Sequence, residues 1–191
     1  MSRDTSFYYS FLVLPAKKRR AIIAVWDFCR AVDDAVDEAA DSSESGAGET
    51  AQGAVLAGAV SAGAAAELSL WRSELAACYA GAGASGGDRG GDSGDDGRGG
   101  GPTTPEGKRL QPHIREFNLP RAPFDDLIDG VAMDLEYARY PTFEALAEYC
   151  RRVASTVGLI CIEIFGYRDP ASRTYAVDLG MALQLTNIIR D

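Results

Sequence analysis

One stretch constrains this chain more than any other: AVWDFCRAVDDAVDEAA, residues 24–40. Its apolar residues recur with helical spacing, yet the same stripe carries carboxylates. A helix turns about 100° per residue, so positions three and four apart share a face. Counted from Ile22, the residues Trp26, Cys29 and Asp33 fall within about 40° of one line, and Asp37 within about 60°. Arg30 lies at the edge of that stripe. Asp34 and Glu38 point away and read as solvated acids. Asp33 and Asp37 therefore stand one turn apart on the apolar side. Like charges at this spacing repel, and burying a lone carboxylate is costly. Taken alone, DxxxD also fits a helix end exposed to water. A hard divalent cation is the other way to compensate it: Mg²⁺ prefers carboxylate oxygens together with water and substrate phosphate.

The rest of the chain supports a helical interior. Pro15 suits a helix start, and the apolar pattern that follows runs to about Val36. Residues 67–80 read as a short amphipathic helix, 105–118 as another, and Pro123 opens a third through FDDLIDGVAMDLEYAR. A long apolar helix is expected over 142–166 and a last one over 171–191. Strand-like alternation is scarce, so the fold class is all-α. Two segments are low in complexity, at about 39–66 and 81–101. The second holds 11 of the 21 glycines, too few packing side chains to offset its ordering entropy, and reads as a flexible surface loop. Its aspartates fit no EF-hand spacing. The domain expected is single and spans 1–191.

Composition narrows function. A formal net charge of −9 argues against nucleic-acid binding. The four cysteines form no CxxC pair and read as reduced thiols of a cytoplasmic protein. A single histidine, His113, argues against a His-based metal site or a Ser-His-Asp triad. The N-terminal FLVL is too short for a secretory signal, and no apolar run reaches transmembrane length.

A second polar face sits on the last helix. QLTNIIRD places Gln184, Asn187 and Asp191 within one sector of about 60°, beside apolar residues. That stripe reads as a buried hydrogen-bond network or as the far side of a metal site. Asp134 shares a face with Leu127, Val131 and Ala138, and suits a salt bridge or a supporting role behind a metal ligand. Several helices sending acids and amides into one interior is how metal sites are built in bundles. Acid clusters with Mg²⁺ bind diphosphate and help a C–O bond to break. Arg30 and Arg190 supply positive charge for the departing oxygens, and an apolar cavity keeps water from a carbocation. The chemistry expected is ionisation of an isoprenoid diphosphate.

These residues make the chain resemble the squalene/phytoene synthase family, which joins two prenyl diphosphates head to head. SFYYSFLVLP, FCRAVDDAVDE, MDLEYARYPTFEALAEYCRRVASTVGLICIEIFG and ALQLTNIIRD all look like family blocks in family order. The wording of the first and third is closest to bacterial presqualene diphosphate synthases of hopanoid biosynthesis, with phytoene synthases the near rival. The resemblance implies an isoprenoid-synthase helical bundle around a central cavity. It implies that Asp33 and Asp37 ligate Mg²⁺, that Asn187 and Asp191 begin a second acidic motif, and that Gln184 lines the site. It implies diphosphate-facing arginines at Arg30 and Arg190, and Tyr149 near the reacting carbons, steering, accepting a proton or packing. Ser6, Phe7 and Ala154 match substrate-contacting positions. The implied reaction condenses two farnesyl diphosphates to presqualene diphosphate. One ionises, the double bond of the other attacks, and proton loss closes a cyclopropane. No nicotinamide is needed for it.

Two departures stand out. Trp26 occupies a position where the family commonly has tyrosine; it keeps an aromatic wall but only donates a hydrogen bond. Asp191 is the last residue, so the acid expected one turn beyond it is absent, as are the family's remaining helices. The fold is therefore expected to be incomplete at the C-terminus and the chain inactive alone, unless another chain completes it. Three readings stay open. The first is a prenyl transferase acting on farnesyl or geranylgeranyl diphosphate. The second is a non-catalytic prenyl-lipid-binding protein, and the third a helical scaffold. Contact with a membrane surface fits a lipid-like product.

Overall fold

The structure is a computed structural model. It describes residues 11–44, 52–80, 100–137 and 139–190, and their side chains except at 37–44, 52–62 and 136. Every regular element among the described residues is helical. In chain order these are α1 (Ala16–Glu44), α2 (Gln52–Ala80), α3 (Pro105–Glu116), α4 (Ala122–Glu136), α5 (Phe143–Cys150), a π turn (Arg151–Ser155), α6 (Thr156–Phe165) and α7 (Ala171–Arg190).

Local chemistry explains most boundaries. Thr104 caps α3 by accepting from the Gly107 N–H at 3.0 Å, with Pro105 in the first turn. Thr142 does the same for α5 from the Ala145 N–H at 3.2 Å. Gly166 ends α6 at φ 76°, a left-handed conformation that favours glycine.

Two helices outrun the apolar pattern. α1 continues past Val36 to Glu44, and α2 begins at Gln52 rather than near 67. Much of what reads as low complexity over 39–66 is thus helix. Alanine is the best helix former but leaves no periodic stripe to read. Residues 81–99 of the glycine-rich segment lie outside the described residues.

α1 is the axis of the bundle and packs against α2, α3, α4 and α6. Phe28 is fully buried on one side of it, edge-on to Trp71 at 5.4 Å and to Phe124 at 5.9 Å. Leu68, Leu75, Leu110 and Ile128 close the core around these rings. Glu74 is buried there too. Its carboxylate accepts from the backbone N–H and hydroxyl of both Thr103 and Thr104, which ties the start of α3 to α2. Burial alone would raise its pKa; these hydrogen bonds outweigh it and hold the carboxyl below the usual range.

The single helix expected over 142–166 is interrupted. α5 and α6 join through the π turn, a wider loop of helix frequent at functional sites. Neighbouring helices approach it at glycines. A Cβ on Gly180 of α7 would meet the Ser155 Cα at 2.6 Å, and one on Gly130 of α4 would meet the Arg152 Cβ at 2.6 Å. The Ser155 hydroxyl donates to the Val177 carbonyl at 2.7 Å, fastening the turn to α7. On the outside, Arg152 pairs with Glu148 at 2.6 Å and with Asp129 at 3.4 Å, and Arg72 also reaches Asp129.

Candidate active site

The face of α1 opposite Phe28 borders two adjoining cavities. Arg30, Asp33, Val153 and Gln184 line both of them. The first, about 410 Å³, is a polar mouth to which Asp134 and Tyr149 also contribute. The second, about 360 Å³, is an apolar chamber walled by Trp26, Leu127, Ala154, Val157 and Leu183, with Asn187 at its rim. The π turn supplies Val153 and Ala154, so the widened helix forms part of the wall.

The polar end draws on three separated stretches. Asp33 comes from α1, Asp134 from α4, and Gln184 with Asn187 from α7. Arg30 donates to Asp34 at 3.0 Å. Asp34, expected to be a solvated acid, is a part-exposed partner of this arginine, which lines the mouth. Asp37 lies one turn beyond Asp33 on α1, with its side chain outside the description. Ser6, Phe7 and Asp191 lie outside the described residues. Arg190, in the last turn of α7, is exposed and lines neither cavity.

Asp134 makes a contact that sequence reasoning missed. The expectation was a salt bridge or a place behind a metal ligand. The Tyr140 hydroxyl donates to it at 2.9 Å, and Tyr149 stands close enough for the Asp134 charge to act on its phenol. The two rings pack 4.9 Å apart at 31°. Burial pushes both phenols well above their usual pKa, and the Asp134 charge and hydrogen bonds add to the effect. Tyr149 is therefore held protonated. The signal available was the tyrosine in RYPT, nine residues before Tyr149; nothing in its spacing shows that the bend between α4 and α5 folds it back.

Two thiols also face the chamber, Cys29 and Cys161. Burial raises the Cys29 pKa far above its usual value, with Asp33 adding to the rise, and burial takes Cys161 up to about 11. Both stay protonated and act as small apolar wall residues.

The donors that line the two cavities are hard: carboxylates at Asp33 and Asp134 and amide oxygens at Gln184 and Asn187. That set fits a hard cation such as Mg²⁺ and not a soft one. No cluster of three acidic, histidine or cysteine side chains suited to a metal occurs among the described residues; Asp37 and Asp191 are beyond that description.

An all-helical bundle with an acid-and-amide mouth over an apolar chamber defines the isoprenoid-synthase class of fold. Within it, the chain belongs to the squalene/phytoene synthase family, whose model matches residues 1–191. It is 33% identical over 188 residues to a presqualene diphosphate synthase of Rhodopseudomonas palustris, covering 98% of this chain and 53% of the relative. A phytoene synthase of Cereibacter sphaeroides is 33% identical over 187 residues, 97% of this chain and 44% of the relative. The crystal structure of squalene synthase HpnC from Alicyclobacillus acidocaldarius superposes with a TM-score of 0.68 at 29% identity, over 97% of this chain and 56% of that one. The chain thus spans about half the length of the relatives it matches. The family is one of prenyl transferases that join prenyl diphosphates head to head.

Proposed function

We propose that this chain carries the first acidic motif and the chamber of a presqualene diphosphate synthase, an enzyme that condenses two farnesyl diphosphates. The observation that carries this reading is the pairing of Asp33 with Gln184 and Asn187 over an apolar chamber. In this reading Asp33, Asp37, Asn187 and Asp191 hold Mg²⁺, which when bound neutralises charge on the leaving diphosphate. Arg30, paired with Asp34, donates to diphosphate oxygens. Trp26 lends an aromatic face to an allylic cation, and the chamber walls keep water from it. Tyr149, packed on Tyr140 and beside Asp134 in the mouth, presents its hydroxyl beside the reacting carbons. One carbon–oxygen bond breaks, two carbon–carbon bonds form the cyclopropane, and one diphosphate and one proton leave.

The phytoene synthase relative of equal identity favours a second reading, the same chemistry on geranylgeranyl diphosphate. Turnover in either case requires the α7 side of the chamber to be covered. Leu183 lines the chamber yet is 42% exposed, and Ile189, further along α7, is 84% exposed. Residues 1–191 alone are expected to bind Mg²⁺-diphosphate without turnover. Calorimetry with Mg²⁺-diphosphate tests the site: Asp33→Asn should weaken binding about tenfold or more, and unchanged affinity would return the chain to a scaffold or simple lipid binder. Product analysis with each prenyl diphosphate, on a polypeptide extended through the rest of the family's length, separates the two substrates.

A further inference from the structure

We propose that the turn at Leu12 and Val13, together with the basic start of α1, is a docking face for an anionic lipid bilayer. Leu12 is 50% and Val13 86% exposed, two aliphatic side chains standing in water side by side. Four cations follow after three residues, Lys17 to Arg20. Lys18 donates to the Phe165 carbonyl at 2.6 Å and Arg19 to the Leu12 carbonyl at 3.2 Å. These partners are neutral, so both charges persist. Lys17 shares its charge with Glu116 at 3.1 Å, while Arg20 is exposed. The Lys18 bond also brings in the end of α6, where Phe165 and Tyr167 are exposed, 41% and 37%. Glu116 and Glu163, which accepts from the Tyr167 hydroxyl at 3.3 Å, are the acids at the edge of this face. Exposed aliphatic and aromatic side chains next to cations are the chemistry of an anionic membrane surface.

Charge complementarity selects the occupant. The chain as a whole carries −9 and is repelled by anionic lipid. This face is the place where apolar exposure coincides with a run of four cations. Among the described residues no helix is long and apolar enough to cross a membrane, so contact here is peripheral.

The face also adjoins the chamber. Phe11, one residue before Leu12, packs edge-on to Trp26 at 6.2 Å, and Trp26 is chamber wall. Asp33 lies seven residues further along α1, about 10 Å away. On the proposed function, a prenyl product with its diphosphate at Asp33 has its hydrocarbon end toward this face.

Vesicle flotation of the 191-residue chain tests the proposal. Binding is expected on phosphatidylglycerol–phosphatidylcholine vesicles, weaker on phosphatidylcholine alone and weaker at high salt. The exposed double variant Val13→Asp/Arg20→Glu should lose about tenfold or more, with its helical circular dichroism intact. Ile189→Asp on α7 and Asp33→Asn should bind as the parent does. No binding to the anionic vesicles, or binding that survives the double variant, or binding lost in Ile189→Asp instead, overturns the proposal. Flotation uses no substrate, so it can fail while Mg²⁺-diphosphate binding holds, and the reverse.

Discussion

Replacing Gly180 with alanine asks whether the seam between α7 and the π turn is as close as the structure shows. The added methyl would sit 2.6 Å from the Ser155 Cα, 2.8 Å from the Ala154 oxygen and 2.9 Å from the Ala154 carbonyl carbon. All three are backbone atoms, so no side chain can swing aside, and the helices must part until contact relaxes to about 3.4 Å. Overpacking of this kind costs about 1–3 kcal/mol, and a rigid neighbour places it at the upper end. Alanine returns about 1 kcal/mol in helix propensity. The net expectation is about 2 kcal/mol of destabilisation, a fall in Tm of about 4–8 °C for a chain of this length. Gly63→Ala is the internal control. Gly63 is exposed in α2 with nothing within 4 Å of its Cβ, so the propensity gain stands alone and Tm should rise slightly. Thermal unfolding followed by circular dichroism reads both. A Gly180→Ala protein that melts at or above the parent, or that tracks Gly63→Ala, would refute the close seam and the fixed chamber wall built on it.

Other expectations follow from the electrostatics. Asp134→Asn removes the charge that adds to burial at Tyr149, so that phenol should ionise at lower pH. Ultraviolet titration against Tyr149→Phe shows this, and identical curves for parent and Asp134→Asn would speak against the Asp134–Tyr149 contact. Glu148, beside Arg151 and Arg152, is held down to about 2. A depressed carboxyl stabilises the fold above its ordinary pKa of 4.5 and loses that contribution as pH falls toward 2. Glu148 is 41% exposed, so its share is about 1 kcal/mol after solvent screening. Urea unfolding should show Glu148→Gln weaker than the parent at pH 6 and nearly equal to it at pH 2; a constant gap contradicts the pairing. Glu74→Ala strands the backbone N–H groups and hydroxyls of Thr103 and Thr104, and should cost about 3 kcal/mol. Hydrogen exchange at those two amides should quicken with it; unchanged exchange would mean that Glu74 does not hold the loop.

What could be read in advance followed the information that side chains leave in phase. On α1 and α7 the polar residues interrupt a strong apolar period, so the angle of Asp33, Gln184 and Asn187 follows from counting, and each lines the cavity. Ala-rich residues carry no phase, which is why the start of α2 was invisible before about residue 67. The π turn was hidden for a different reason. RRVAS continues an acceptable helix, and the turn is fastened by partners far along the chain, the Val177 carbonyl and the Gly180 backbone.

The same distinction separates the parts of the site. Asp33 announces itself because a carboxylate is expensive on an apolar stripe, and the cost is local to one helix. Tyr140 gives no such sign, since a tyrosine after a helix end offends nothing. Its value arises only when the bend after Glu136 brings its hydroxyl to Asp134 and its ring against Tyr149. Misplaced charge thus marked residues that line the cavities, while the groups packed around Tyr149 are set by tertiary geometry. A variant series confined to the legible residues, Asp33, Gln184 and Asn187, would probe binding. Tyr140→Phe reaches a different layer: it should leave Mg²⁺-diphosphate affinity intact while loosening the hydroxyl at Tyr149.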